Sequence, residues 1–229
     1  MDALPHAGRI DLRLRRVWPL AVGLLLLAGL WTGPLPEMAR RAFSPHMILH
    51  LGVVVLAAPL IVVGLLRLVP GASSPRPLIA AALAASALEF LVVWGWHAPV
   101  MHEAAARWDS IFVLQQVSFL AASLLLWWLC LAARDRKGAA IGSLAMLFTS
   151  MHMAMLGALL VLAPGLLYAQ QFCLGAFGLD PLADQKFGGG LMALAGTLPY
   201  VVAGGWLAAR LALDDPRERD LAAPPALRK

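Results

Sequence analysis

The chain has 229 residues, of which 61% are hydrophobic and 14% charged, and its mean hydropathy is +0.77. These values lie outside the range of soluble globular domains and predict an all-α fold, a polytopic membrane helix bundle surrounded by membrane lipid. The net charge of +5 does not indicate nucleic-acid binding, because the basic residues lie at the ends of apolar segments and form no stripe.

Six apolar segments are each long enough to cross the roughly 30 Å of hydrocarbon in a bilayer. Breaker residues such as Gly33-Pro34-Leu35-Pro36 and Pro164-Gly165 separate them. Ser44-Pro45 predicts a helix start, with Ser44 as the N-cap. The predicted spans cover residues 17–32, 46–68, 78–97, 111–132, 139–163 and 188–211.

The distribution of Lys and Arg predicts the orientation. Of the 18 basic residues, four lie on one side of the predicted bundle, namely Arg40, Arg41, Arg107 and Lys186, and the others lie on the side of both termini. Basic loops stay in the cytoplasm, so we expect both termini to be cytoplasmic, in a bacterial inner membrane. Residues 1–16 are then a basic cytoplasmic segment, 17–211 the transmembrane bundle, and 212–229 a disordered cytoplasmic tail.

An Arg-rich start before an apolar run also resembles a signal peptide. Residues 34–38 offer no small-x-small cleavage site, so we expect the first span to be retained. Cys130 and Cys173 fall on opposite sides of the predicted bundle and are expected to remain unbridged.

No common enzymatic motif is present: the chain lacks Walker A, GxGxxG, HExxH and GxSxG patterns. The run Gly188-Gly189-Gly190 has no flanking strand and no phosphate-binding Lys-Ser/Thr, so we interpret it as a close helix–helix contact.

Four histidines lie in or at the ends of the apolar segments: His46, His50, His97 and His152. Ionisable side chains are costly in hydrocarbon and usually mark a functional site. His46 and His50, four residues apart, share one helical face, and the predicted orientation places His97 at the same outer side, with His152 deeper. A single such histidine is more often a hydrogen-bonded core residue, but the set of four indicates a metal site.

Other polar and sulfur-bearing residues accompany these histidines. Imidazole beside thioether is a ligand set that Cu(I) favours. Glu89, in the middle of the third span, is expected to be either protonated or paired with a cation, with His152 as a candidate. Asp184 is either a support for the site or part of a solvated helix start. Possible additional ligands or supports are Met101, His102, Met155, Met192, Glu89, Asp184 and Gln116.

The segment Phe43-Ser44-Pro45-His46-Met47-Ile48-Leu49-His50, continuing through Ala58-Pro59 to Gly64, resembles the HMxxH…APxxxxG segment of the CtaG family, membrane assembly factors for caa-type cytochrome c oxidase. Trp96-His97-Ala98-Pro99 resembles the family's WHxP motif, and Ala183-Asp184-Gln185 resembles the DQ-containing start of its last span. Two positions depart from the pattern. Gln115-Gln116 stands where the family usually has Glu-His, and His102 stands where Tyr is expected.

The resemblance implies that the protein is not an enzyme and that it helps to mature a haem–copper oxidase, with copper as Cu(I) handled on the periplasmic side. Its implied partners are subunit I or other oxidase subunits and a periplasmic copper donor. Two alternatives stay open. The first is a b-type haem protein with axial ligands His50 and His97, or His97 and His152. The second is a metal-free scaffold for oxidase subunits.

Overall fold

The structure, a computed structural model, describes residues 6–69, 79–133 and 135–213, with only the backbone described for residues 6–15, 79, 80 and 213. All regular secondary structure in these ranges is helical. The α-helices are α1 (His6–Thr32), α2 (Leu35–Ala39), α3 (Phe43–Leu51), α4 (Ala58–Leu68), α5 (Ile79–His97), α6 (Pro99–Arg107), α7 (Asp109–Ala132), α8 (Arg136–Leu162), α9 (Pro181–Leu194) and α10 (Leu198–Leu213). A π-helix (Gly52–Ala57) joins α3 to α4, and a short 3₁₀ turn (Gln170–Phe172) lies in the loop before α9.

Four continuous helical stretches are long and apolar enough to cross a membrane: Phe43–Leu68, Asp109–Ala132, Arg136–Leu162 and Pro181–Ala212. A fifth arises if Ala81–His97 and Pro99–Arg107, which meet at a bend of 71°, count as one span. Arg16–Thr32 is a shorter apolar helix. The predicted all-helical membrane bundle is therefore confirmed, with four or five candidate spans among the described residues.

Helix α1 begins at His6, before the first predicted span, and its apolar part is Arg16–Thr32. The predicted N-cap at Ser44 is wrong. Helix α3 begins at Phe43, with Ala42 in the extended conformation at the N-cap, and Ser44 lies inside the first turn. The start of the third predicted span at residue 78 and the tail beyond residue 213 lie outside the described residues.

Pro59 lies just after the π-helix. Within it, the Ala58 N–H donates to the carbonyl of Val53, five residues back. In the same pattern the Val54 carbonyl would accept from residue 59, but proline has no N–H. The indole Nε1 of Trp127 in α7 donates to Val54 instead, at 3.0 Å. A side chain of a neighbouring helix thus satisfies a backbone acceptor that the π-turn leaves free.

Helices α8 and α9 approach so closely that glycine is required in both. A Cβ at Gly157 would lie 2.4 Å from the Ala193 nitrogen, and a Cβ at Gly189 would lie 2.7 Å from the Leu160 Cβ. A Cβ at Gly188 would meet the Phe43 ring at 2.6 Å, whereas one at Gly190 would meet nothing within 4 Å. The predicted helix–helix contact of the glycine run is therefore confirmed at two of its three residues.

Candidate metal centre

Four imidazoles converge at the end of the bundle where α3 begins and α5 ends. His46 and His50 come from α3, His97 is the last residue of α5, and His102 lies in α6. The sharp bend between α5 and α6 carries His102 back toward α3, because Ala98 is extended and Pro99 starts a new helix. Three helices therefore supply the cluster, which we call the four-histidine cluster.

The spacing of the rings suits ligands that share one ion. A metal–nitrogen bond is about 2 Å long, so two imidazoles on one ion have ring centres about 4.5–6 Å apart. The ring centres of His46 lie 5.4 Å from His97 and 4.7 Å from His102, and His50 lies 5.4 Å from His97. His46 and His50 are 6.4 Å apart with nearly parallel rings. As the side chains stand, no three His, Cys, Asp or Glu residues in the described part of the chain meet at a common ion position.

The cluster is buried and its polar atoms lack partners. All four side chains are at most 5% exposed. His46 Nε2, both ring nitrogens of His50, His97 Nε2 and His102 Nδ1 are buried without a hydrogen bond. Such groups are rare in folded proteins because each costs about 1–3 kcal/mol, and an ion is one of the few explanations for a group of them.

One backbone contact prepares His97 as a ligand. Its Nδ1 lies 2.6 Å from the Val93 carbonyl oxygen, an acceptor, so Nδ1 carries the proton and donates. The lone pair is then on Nε2, the unpartnered nitrogen. This is the arrangement in which a second partner fixes the tautomer of a metal-binding histidine.

Aromatic side chains enclose the cluster. The Phe119 ring of α7 lies 4.2 Å from His50, and Phe43 lies 5.6 Å from His102. Tyr168, from the loop after α8, stacks on Phe43 at 4.9 Å, contacts His102 at 4.4 Å, and donates its hydroxyl to the His97 carbonyl at 3.1 Å. These rings exclude water, so a charge placed there would interact strongly with the imidazoles.

A narrow crevice leads to His46 and His102. It is too tight to hold a water molecule. Its walls include Ala39, Arg40, Ala105, Ala106, Phe112 and Gln115. Arg40 lies across it: its Nε donates to the Ala106 carbonyl at 3.1 Å, and its guanidinium pairs with Asp109 and lies 5.7 Å from the centre of the Phe112 ring. The crevice wall therefore contains a guanidinium, which is paired with Asp109, and the amide of Gln115.

Asp184 and Gln185 hold the cluster's surroundings from α9. The Asp184 carboxylate accepts hydrogen bonds from the backbone N–H groups of Phe43 and Ser44, at 2.7 and 3.2 Å, and from the Ser44 hydroxyl. Gln185 Oε1 accepts from the Leu167 N–H at 2.8 Å, in the loop that presents Tyr168. Both side chains are fully buried. This decides between the two interpretations of Asp184: it supports the helix that carries His46 and His50, and it is not a solvated residue.

Several candidate residues make no ring contact with the four imidazoles. His152 is buried in α8, where its ring contacts are with Phe90 at 5.3 Å and Phe148 at 6.0 Å, and both of its nitrogens are unpartnered. It is close enough to His50 for an electrostatic interaction between the two side chains. Met101 and Met155 are 45% and 46% exposed on the outside of the bundle. Met192 is buried in the apolar core, and Gln116 lines a separate apolar pocket beside Trp31. The structure thus gathers His102 with His46, His50 and His97, and places His152 near His50 but without a ring contact to the four imidazoles.

Glu89 belongs to a second buried polar group. Its Oε1 accepts from Ser123 Oγ at 2.9 Å and from the Tyr200 hydroxyl at 2.8 Å, while Oε2 has no hydrogen bond. Of the two alternatives for Glu89, a hydrogen-bonded carboxyl group agrees with these contacts, whereas a pairing with His152 does not, because neither nitrogen of that ring has a hydrogen-bond partner. Glu89 instead ties α5 to α7 and α10.

Sequence reasoning missed the enclosing residues Phe119 and Tyr168 and the crevice residue Arg40. Phe119 and Tyr168 are ordinary apolar residues in sequence, and only the packing of helices shows that they touch the imidazoles. In the sequence, Arg40 contributes only to the distribution of basic residues that predicts the orientation of the bundle. Gln115 stood out only as a departure from the family pattern.

A model of the family described as cytochrome c oxidase caa3 assembly factor (Caa3_CtaG) matches residues 4–213. No curated protein and no solved structure matches the chain. The match includes every residue of the four-histidine cluster, together with Asp184 and Gln185.

Proposed function

This chain belongs to the Caa3_CtaG family of cytochrome c oxidase caa3 assembly factors, and from that membership we propose that it handles copper for the oxidase and delivers it from the four-histidine cluster. Copper is here a cargo and not a resident cofactor. The family gives the assembly role and makes oxidase subunits the partners. The copper, the ligands and the direction of transfer are our proposal.

The observation that carries the proposal is the group of five unpartnered ring nitrogens on His46, His50, His97 and His102. Imidazole is a good ligand for copper, and Cu(I) accepts several coordination geometries, so ligands can be exchanged one at a time. The ring centres of His46 and His97, His46 and His102, and His50 and His97 are 4.7–5.4 Å apart. Small rotations of these side chains would bring their nitrogens to one ion. The burial of the site would keep a bound ion from bulk water.

The direction of transfer follows from the predicted topology. With six spans and cytoplasmic termini, the cluster end of the bundle faces the periplasm. Copper would arrive there from a periplasmic donor and pass to subunit I or another oxidase subunit within the bilayer. Reporter fusions after Lys229 and in the loop at residues 172–182 should report opposite sides, and the same side for both would remove the periplasmic assignment.

The haem alternative has less support. The crevice beside the cluster has no room even for a water molecule, whereas pockets for sizeable ligands usually hold about 300–1,000 Å³. The imidazoles contact one another and Phe119 with no gap for a tetrapyrrole between them. A Soret band in the purified protein would overturn this preference.

Copper analysis tests the proposal directly. Protein purified in detergent under reducing conditions should retain copper, and the His46→Ala/His50→Ala double variant should lose it while still accumulating in the membrane. In cells, deletion should lower active oxidase and its copper content at limiting copper, while the oxidase polypeptides are still made. Equal copper retention by the wild type and the double variant would leave the metal-free scaffold as the better account.

A further inference from the structure

We propose that copper leaves the four-histidine cluster sideways, by way of His152 and Met155, and reaches the lateral surface of α8. This inference rests on the proposed function and adds to it the route of the ion and the face of the bundle from which a partner would take it. His152 is then a transfer ligand, which binds copper after the cluster has released it, and is not one of the ligands that store it.

His152 is a buried histidine outside the cluster with two free nitrogens. Its side chain is 1% exposed, and neither ring nitrogen has a hydrogen-bond partner. Its ring contacts are with Phe90 and Phe148, which offer no hydrogen bond to the imidazole nitrogens. Buried polar groups are seldom left without a partner in folded proteins. A passing metal ion would supply that partner.

His152 lies beside the deepest histidine of the cluster. His50 is seven residues after the start of α3 at Phe43, about 10 Å along the helix. His152 is ten residues before the end of α8 at Leu162, about 15 Å along that helix. The two side chains are close enough for an electrostatic interaction. No hydrogen bond fixes the ring of His50, so it can turn from His97 toward His152.

On its other side, His152 is close to the surface of the bundle. Phe148, one turn earlier on α8, lies 6.0 Å from the His152 ring and is 40% exposed. Met155, three residues after His152, is 46% exposed. Residues three apart on a helix are neighbours, and a methionine side chain is flexible, so the Met155 sulfur can link His152 to the surface. Because Arg136–Leu162 is long and apolar enough to cross a membrane, this surface lies within the bilayer.

The chemistry of the route is ligand exchange. Imidazole and thioether both bind Cu(I). While His50 holds the ion, its bond to His97 breaks as a bond to His152 forms, and its bond to His50 then breaks as a bond to Met155 forms. Copper remains Cu(I) throughout, no electron is transferred, and the neutral ligands exchange no proton. The ion would end at the lateral surface of α8, where a ligand of an oxidase subunit could replace Met155.

The test measures the rate at which Cu(I) passes from the full-length protein in phospholipid vesicles to two chelators. Neocuproine dissolves in the bilayer and reaches the lateral surface of α8, whereas bathocuproine disulfonate stays in water. His152→Leu should slow transfer to neocuproine by about tenfold or more. It should leave the bound copper and the transfer to bathocuproine disulfonate unchanged.

His152→Met separates the loss of a ligand from a change in packing. Leucine and methionine are similar in volume, but only methionine has a sulfur ligand, so His152→Met should transfer copper at close to the wild-type rate. Met155→Leu, which leaves the buried core untouched, should slow transfer to neocuproine as His152→Leu does. Met151→Leu is its matched control, because Met151 is also exposed, at 57%, but adjacent residues of a helix do not face each other. It should have no effect.

Transfer to neocuproine at the wild-type rate in both His152→Leu and Met155→Leu would overturn the inference and leave the cluster as the copper site. Loss of bound copper from His152→Leu would also overturn it, since His152 would then be a storage ligand. Equal slowing of transfer to both chelators would contradict a lateral route. Wild-type protein that binds no copper would overturn the proposed function together with this inference.

Discussion

The carboxylate of Asp184 in α9 accepts the backbone N–H of Phe43, at 2.7 Å, at the start of α3. These residues are far apart in the chain, yet the contact provides what a local N-cap would provide. It places a negative charge at the positive end of the helix dipole and satisfies N–H groups that have no partner within the helix. Phe43 lies one turn before His46 on the same helix. The position of two imidazoles therefore depends on a residue of α9.

We expect Asp184→Ala to destabilise the protein by about 2 kcal/mol and to lower copper retention, because it leaves two buried N–H groups and the Ser44 hydroxyl unsatisfied. Thermal unfolding in detergent and metal analysis would measure both effects. Asp180→Ala is the control, since Asp180 caps α9 itself through the N–H groups of Leu182 and Ala183. It should cost about 1 kcal/mol and leave copper retention unchanged. Equal copper loss in both variants would contradict a specific role for Asp184.

His102 and His152 should differ in their effect on copper retention when each is replaced by alanine. His102→Ala should lose copper, because its ring lies 4.7 Å from that of His46 and its Nδ1 is unpartnered. His152→Ala, which removes a ring packed against Phe90 and Phe148, should retain copper despite some loss of stability. Copper stoichiometry of the purified variants, corrected for folded protein, gives the comparison. Copper loss by His152→Ala but not by His102→Ala would show that His152, and not His102, is the copper ligand.

The close approach of α8 and α9 predicts a strong effect of one methyl group. Gly157→Ala should destabilise the protein by about 1–3 kcal/mol, since the new Cβ would lie 2.4 and 2.6 Å from backbone atoms of Ala193 and Gly189, which cannot yield as a side chain can. Gly190→Ala, where nothing lies within 4 Å, should be neutral or slightly stabilising. Both are measured by thermal unfolding in the same detergent. A neutral Gly157→Ala would show that the two helices can separate without cost.

Cys173 should be unreactive in the folded protein. It lies fully buried in the loop before α9, and burial, followed by the nearby Asp184 carboxylate, raises the pKa of its thiol to about 11. Only the thiolate reacts with iodoacetamide, so at pH 8 the folded protein should remain unlabelled. Because the pKa is raised by folding, labelling should increase as the pH rises toward 11. A Cys130→Ala background isolates this thiol, and denatured protein, which should label fully, is the positive control. Rapid labelling of the folded protein at pH 8 would show that the loop opens.

The spans could be predicted from sequence because apolar length and breaker residues are local properties. The second predicted span ends at Leu68 and the fourth at Ala132, as the helices do. The start of α3 could not be predicted, because its first turn is stabilised by Asp184, which is distant in the chain. A sequence pattern for helix starts depends only on neighbouring residues, and for this reason it predicts Ser44 as the N-cap.

Only part of the candidate site could be predicted from the sequence, and the reason is related. The pair His46 and His50 share a face at any orientation of their helix, so their proximity to each other is a local property. Which other helices face them depends on how each helix is rotated about its axis, and a single sequence does not give that angle. His152 therefore seemed well placed by depth, whereas His102, in a short helix after a sharp bend, looked like a loop residue.

The hydrogen bond from Trp127 to Val54 also fixes the position of α7 along its axis relative to the π-helix. Val54 lies four residues beyond His50, and Phe119, which packs on His50, lies eight residues before Trp127 on α7. The indole donates to the Val54 carbonyl, which would accept from residue 59 in the π pattern but faces a proline without an N–H there. Pro59 thus helps to set the axial position of α7 relative to the π-helix. As a result, Phe119, two turns from Trp127, lies beside the imidazole of His50.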